Sequence, residues 1–196
     1  MKKITGFTII ELMMTLMVIG VVLAIAVPSM STLIKNNRQT SRVNELVSLI
    51  NYSRSQAVGL NTEVTLCGSN DGATCNSANW ETGGLIIKGI ATSGTTPAST
   101  DILKIIEPQS SGSTLRRITS AATAPSSFDS SIIRFEKTGR MNGDDASSFT
   151  LCDDRGDTKA KGIVINGSGQ ARTAKDSDND GVVEIIKNGA LQAVGC

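Results

Sequence analysis

Histidine is absent from the 196 residues, which removes the commonest general base, the usual partner of a nucleophilic side chain and the commonest metal ligand together. The chain is therefore read as non-enzymatic. No CxxC pair occurs, so the four cysteines lack the spacing of a zinc site. Net charge is scarce as well: 19 Lys+Arg against 18 Asp+Glu leave +1, without the basic excess of a typical nucleic-acid-binding domain. Any contact with DNA would have to be local. What the chain does have is 39% hydrophobic residues, enough for one soluble domain plus a membrane segment and too much for wholesale disorder.

The apolar residues are concentrated first in Phe7–Val27, interrupted by a single charge, Glu11. As a helix rising 1.5 Å per residue, this run of about 21 residues spans roughly 30 Å, the thickness of a bilayer's hydrocarbon core. A cleaved secretory signal has a shorter apolar region ending in a small-x-small site, whereas this run leads into Pro28 and a further helical pattern. Lys2 and Lys3 precede the span and Lys35, Arg38 and Arg42 follow it, so flanking charge leaves the orientation open. A carboxylate in such a run costs about 2.5–3.5 kcal/mol at mid-membrane, which marks Glu11 as a functional residue.

Beyond Ser29 the apolar positions Met30, Leu33, Ile34, Val43, Leu46, Val47, Ile50, Ala57 and Val58 keep helical spacing. Pro28 removes one backbone donor and is expected to kink the helix where its apolar half meets its amphipathic half. After Asn61, short β-like runs alternate with Gly, Ser, Asn, Asp and Pro clusters: Glu63–Cys67, Leu85–Lys88, Ile102–Glu107, Leu115–Thr119, Ile132–Lys137, Phe149–Cys152, Gly162–Asn166 and Val182–Lys187. One long helix before a strand-rich remainder predicts an α+β fold, with an antiparallel sheet resting on the amphipathic half of the helix. The loops Ala91–Thr100 and Ser120–Ser131, rich in Ser, Thr and Ala, are expected at the surface.

Gly6, Phe7, Thr8, the Ile10–Glu11–Leu12 step and an apolar helix with Pro28 together resemble the N-terminus of type IV prepilins and type II secretion pseudopilins. Further along, "NYSRSQAVGLNTEVTLCGSNDGATCNSANWETGGLII", "FEKTGRM" and "FTLCDDRGDTKAKGIVINGSGQARTA" resemble the FimT/FimU branch, related to the secretion pseudopilin GspH. The resemblance implies a prepilin leader at 1–6, a transmembrane and filament-core helix at 7–27, an amphipathic pilin helix at 28–60 and a β-rich periplasmic head at 61–196. It also implies cleavage after Gly6 by a prepilin peptidase, N-methylation of Phe7, and residence in the bacterial inner membrane as a single-pass protein before entry into a filament. On that reading Glu11 is the counter-ion of the new amine, its own or a neighbour's. The expected function is that of a minor pilin in the tip or priming complex of a type IV pilus, with other minor and major pilins as partners. A minor pseudopilin of type II secretion is the alternative.

In an oxidising compartment Cys67, Cys75, Cys152 and Cys196 are expected to form two disulfides. Three pairings are open. The favoured one joins Cys67 to Cys75 across a Gly/Asn/Asp loop and Cys152 to Cys196. Two further segments bear on ligands. In the FimT branch linked to natural transformation, a Gly-Arg-x-Arg pattern contacts DNA; here "GSGQARTAK" keeps Gly169 and Arg172 but has Gln170 in place of the first arginine. Arg172, with Lys159, Lys161 and Lys175, is the candidate DNA contact, opposed by the acidic residues that follow at once. DNA is therefore a partner that is not favoured. Those acidic residues are the second segment. "DSDNDGVVE" places Asp176, Asp178 and Asp180 at alternate positions, with Gly181 for a turn and Glu184 as a further ligand, a spacing able to converge on Ca²⁺. Lys187 stands where an EF-hand has its last Glu, so only a nine-position loop fits. No cofactor is otherwise expected.

Overall fold

The computed structural model describes residues 6–109, 112–119, 131–142, 146–187 and 190–196. The expected loop Ser120–Ser131 lies outside the described residues except for Ser131. The first element is a single helix, α1, Ile9–Gly59. It starts on a Thr-x-x-Glu box in which the Glu11 N–H donates to Thr8 Oγ1 at 3.3 Å. It stops on a Schellman turn: Thr62 N–H bonds the Ala57 carbonyl at 3.2 Å and Asn61 N–H that of Val58 at 3.2 Å. Asn61 supplies the left-handed φ of 49° that this turn requires. The helix runs on through Pro28; a kink there remains an expectation.

By internal packing the chain divides into two compact units, Met1–Ser41 and Arg42–Cys196. In the first, every large apolar side chain from Phe7 to Val27 is between 52% and 82% exposed. Met30, Leu33 and Ile34 are exposed too.

The second unit begins with the last turns of α1, whose Val43, Leu46, Leu49, Ile50 and Ala57 are buried in the main core. Two four-stranded antiparallel sheets and a hairpin follow. In the first sheet the order is β3 (Ile102–Ile106), β2 (Gly84–Lys88), β1 (Val64–Gly68), β5 (Ile132–Phe135). In the second it is β4 (Ser113–Thr119), β6 (Ala146–Asp153), β7 (Lys161–Asn166), β8 (Ala171–Thr173). The hairpin pairs β9 (Glu184–Lys187) with β10 (Ala190–Ala193).

Period-two alternation explains how the sheets share one core. Val64, Leu66, Ile86, Ile133 and Phe135 of the first sheet meet Leu115, Phe149, Leu151, Ile163 and Ile165 of the second, with Trp80 and Met141 between them. Trp80 stands edge-on to Phe149, ring centres 5.0 Å apart, a favoured aromatic geometry. The alternate residues of the first sheet are buried as well: Cys67, Leu85 and Ile87 pack with Cys75 and Ala91 in a second cluster. A third cluster joins Cys152 of β6 to Ala160, Ile185 and Val194. Arg117, itself buried, bridges the sheets. Its Nε donates to Ser147 Oγ of β6 at 2.8 Å and its Nη1 to the Ile132 carbonyl of β5 at 2.6 Å.

Candidate functional site

At the N-terminal end, Gly6, Phe7 and Thr8 precede the helix, and Glu11 falls in its first turn. A carboxylate there suits the partial positive charge of the helix N-terminus, so the single acidic residue of the apolar run sits where its local cost is least. Phe7 is 82% exposed.

The cysteines form two bridges, Cys67–Cys75 with Cα atoms 5.5 Å apart and Cys152–Cys196 with Cα atoms 5.8 Å apart. The first closes a loop organised by Asp71, a residue the sequence reading passed over. Asp71 Oδ2 accepts from Thr74 Oγ1 at 2.6 Å, and Oδ1 accepts from the N–H groups of Ala73 and Thr74, each at 2.8 Å. Ser69 Oγ and Asn76 Nδ2 donate as well. The Thr74 hydroxyl and these backbone donors hold its carboxyl well below the usual carboxylate range. An Asp-Gly step between two close cysteines was the available signal. The second bridge ties the last residue to β6, and the Cys196 N–H also donates to Asp157 Oδ1 at 2.7 Å.

The four basic candidates are exposed and come from a 3₁₀ turn, β7, β8 and the segment after β8. Lys159 ends a short 3₁₀ turn, Asp157–Lys159. Lys161 opens β7, and Arg172 lies in β8 opposite Val164. Lys175 follows β8, and its carbonyl accepts from the Glu184 N–H at 3.0 Å. That bond holds the start of β9 beside Lys175, the residue that leads into the acidic run.

The acidic candidates do converge. One carboxylate oxygen from each of Asp176, Asp178, Asp180 and Glu184 lies within 4.8 Å of the others. The turn folds on its own carboxylates: Gly181 N–H donates to Asp176 Oδ2 at 2.9 Å, Asp180 N–H to Asp178 Oδ1 at 3.2 Å, and Val182 N–H to Asp180 Oδ1 at 2.8 Å. Asn179 and Gly181 take left-handed φ values of 62° and 89°. The Asp180 N–H stabilises ionised Asp178, but desolvation and the carboxylates of Asp180, Glu184 and Asp176 outweigh it and raise the Asp178 pKa. Glu184 enters from β9, with Oε2 accepting from Ser177 N–H at 2.7 Å and Ser177 Oγ at 2.6 Å.

The family model described as Type II transport protein GspH matches residues 42–169, and that of the prokaryotic N-terminal methylation motif matches residues 1–27. Comparison with curated protein sequences returned no match. Among solved structures, the type IV minor pilin FimU of Pseudomonas aeruginosa is similar in two crystal forms. One gives a TM-score of 0.54 at 20% identity, covering 72% of this chain and 91% of that one; the other gives 0.52 at 18%, covering 69% and 92%. The minor pseudopilin EpsH of the Vibrio cholerae type 2 secretion system matches at 0.46 and 8% identity, covering 72% of this chain and 99% of that one. The FimU likeness bears on the fold, a long N-terminal helix with antiparallel sheets. With one model covering most of the head and the other the N-terminal segment, the chain belongs to the GspH family of minor pilins and pseudopilins.

Proposed function

We infer that the chain is a non-enzymatic assembly subunit, made as a prepilin and built into the tip or priming complex of a type IV pilus. The observation that carries this reading is the run from Phe7 to Val27 in the first unit, helical from Ile9, with exposed apolar side chains throughout and one acidic residue, Glu11, in the first helical turn. Such a surface has to be covered by lipid or by like helices, because without either it would be a large exposed apolar patch.

A prepilin peptidase removes residues 1–6, the amine of Phe7 is methylated, and the Phe7–Val27 helix anchors the chain once in the inner membrane with the head in the periplasm. On extraction into the filament the Phe7 amine leaves the headgroup region, and Glu11 neutralises it in a medium where an unpaired charge is costly. The disulfide-bonded head then contacts other pilins. Assembly of this kind needs no cofactor.

A second reading places the same subunit in a type II secretion pseudopilus, and the match to the family model described as a type II transport protein favours it. DNA reception is not adopted, since Lys175 leads straight into the acidic turn.

The test is incorporation. Glu11→Ala is expected to leave leader removal intact and to lower the amount of the subunit in sheared filaments by at least about tenfold, the consequence of roughly 1.4 kcal/mol or more per lost charge pair. Undiminished incorporation of Glu11→Ala overturns the role of Glu11. Deleting the gene separates the two systems, with loss of surface pili supporting the first reading and loss of protein secretion the second.

A further inference from the structure

The acidic turn stands apart from the assembly reading, and its geometry goes beyond a solvated loop. Three features of Asp176–Glu184 are those of a short calcium loop: carboxylates at positions 1, 3, 5 and 9, a glycine at position 6, and a φ of 89° at that glycine. Loop form alone would fit an acidic turn held by its own hydrogen bonds. What it does not account for is Glu184.

Glu184 is only 8% exposed, and its carboxylate belongs to the convergent set. Ser177 satisfies Oε2, while Oε1 is sealed from solvent with no hydrogen-bond partner among the described residues. Asp176 repeats the pattern, with Oδ2 bound by Gly181 N–H and Oδ1 sealed and unpartnered. Two carboxylate oxygens cut off from water in a group of four acids have no hydrogen-bond partner among the described residues, and a buried charge requires one.

The number of carboxylates selects the cation, because Mg²⁺ keeps several waters and is usually held by one or two carboxylates whereas Ca²⁺ takes more oxygen ligands. Oxygens sharing Ca²⁺ at about 2.4 Å lie at most about 4.8 Å apart, whereas Mg²⁺ at about 2.1 Å draws its ligands within about 4.2 Å. The carboxylate oxygens lie within 4.8 Å of one another, a span that oxygens sharing Ca²⁺ can cover. Four carboxylates with no nitrogen or sulfur donor also point to a hard, oxygen-seeking cation rather than a transition metal.

We propose that Asp176, Asp178, Asp180 and Glu184 form a calcium-binding site in the head. A cation there ties the turn after β8 to the start of β9. β9 carries Ile185 into the cluster that contains Cys152 and Val194, so the site braces the same end of the head as the Cys152–Cys196 bridge.

The experiment uses the full chain in detergent, stripped with a calcium chelator and titrated with CaCl₂ by calorimetry and thermal unfolding. One Ca²⁺ per chain is expected, with Kd of roughly 10⁻⁴ M. At about 10 mM CaCl₂ this should raise Tm by roughly 5–10 °C, with a distinctly smaller rise in MgCl₂. Asp178→Asn combined with Asp180→Asn, both at exposed positions, should fold with an apo Tm at or above that of the parent, because repulsion is relieved, and should lose the calcium response. Glu184→Gln, which keeps an acceptor for Ser177, should lose it as well. Absence of binding heat and of a Tm shift at that concentration overturns the site. So does a calcium response that survives the double variant, or an equal response to Mg²⁺.

Discussion

At the scale of single residues, the acids of this head do opposite things. Asp71 gathers donors, so its ionised form is favoured by folding, and its pKa lies below the unfolded value of 3.8. A depressed pKa contributes stability that is complete above the unfolded value and is lost as pH falls from there through the folded one. Asp71→Asn should therefore be less stable than the parent at pH 7, and the gap should narrow steadily below about pH 4. Urea unfolding of both proteins across this range checks it, and the comparison cancels the acids of the calcium turn, which are common to both. A gap constant with pH would show that hydrogen-bond geometry, not charge, holds the loop. Arg172 gives the other residue-scale prediction. With Gln170 in place of a second arginine and acids beside Lys175, duplex DNA at physiological salt should bind no more tightly than the nonspecific range of about 10⁻⁴–10⁻⁶ M, with a shallow salt dependence. Tighter binding abolished by Arg172→Ala, measured by titration of labelled duplex, would restore the DNA-receptor reading.

At the scale of elements, the Cys152–Cys196 bridge makes the clearest demand. It closes a separation of 44 residues, which on the loop-entropy model contributes about 4 kcal/mol. Cys196→Ser should lose a stability of that order and loosen the β9–β10 hairpin, seen as faster amide exchange there; retention of full stability would mean that packing of Ile185 and Val194 suffices. Much of the element order was legible in the sequence, because alternation marks a strand with a buried face and helical spacing marks a buried stripe. The expected runs at Glu63, Leu85, Ile102, Leu115, Ile132, Phe149 and Gly162 each contain the core of a strand. The exceptions have local reasons. β8, Ala171–Thr173, is a three-residue edge strand with no apolar alternation, made a strand by its pairing with β7. β10, Ala190–Ala193, has no strong strand former and exists by pairing with β9. The run from Val182 starts as strand only at Glu184, since Asp180 captures the Val182 N–H. In the helix, Val58 belongs to the expected stripe but is 52% exposed, whereas Leu49 and Ser53 are buried. Steps of three and four through Ile50, Ser53 and Ala57 keep one face inward, and Val58 is rotated by about 100° from Ala57. Alternation says that a strand has an inner face, not which sheet it joins, so the division into two sheets and a hairpin was not readable.

At the scale of the whole molecule, two units divide the work: an N-terminal unit whose helix exposes apolar side chains along the run to Val27, and a head that builds its own core. In the first, the helix and its apolar run were legible, because an apolar stretch of membrane length has few physical uses, while its processing and the role of Glu11 rest on the resemblance. The candidate calcium ligands were legible by spacing, but the sealed oxygens of Glu184 and Asp176 were not, since burial of an acid depends on strands far apart in sequence. Charge at this scale is nearly balanced, and removal of Lys2 and Lys3 with a leader would shift it from slightly positive to slightly negative, which favours contacts with other subunits over capture of a polyanion. The central claim is that this chain is a processed assembly subunit, and the N-terminus of the protein extracted from its native membrane tests it most directly. Intact-mass and N-terminal peptide mass spectrometry should find a chain beginning at Phe7 with one added methyl group on its amine; a chain that keeps Met1, or one cut at any other bond, would contradict it.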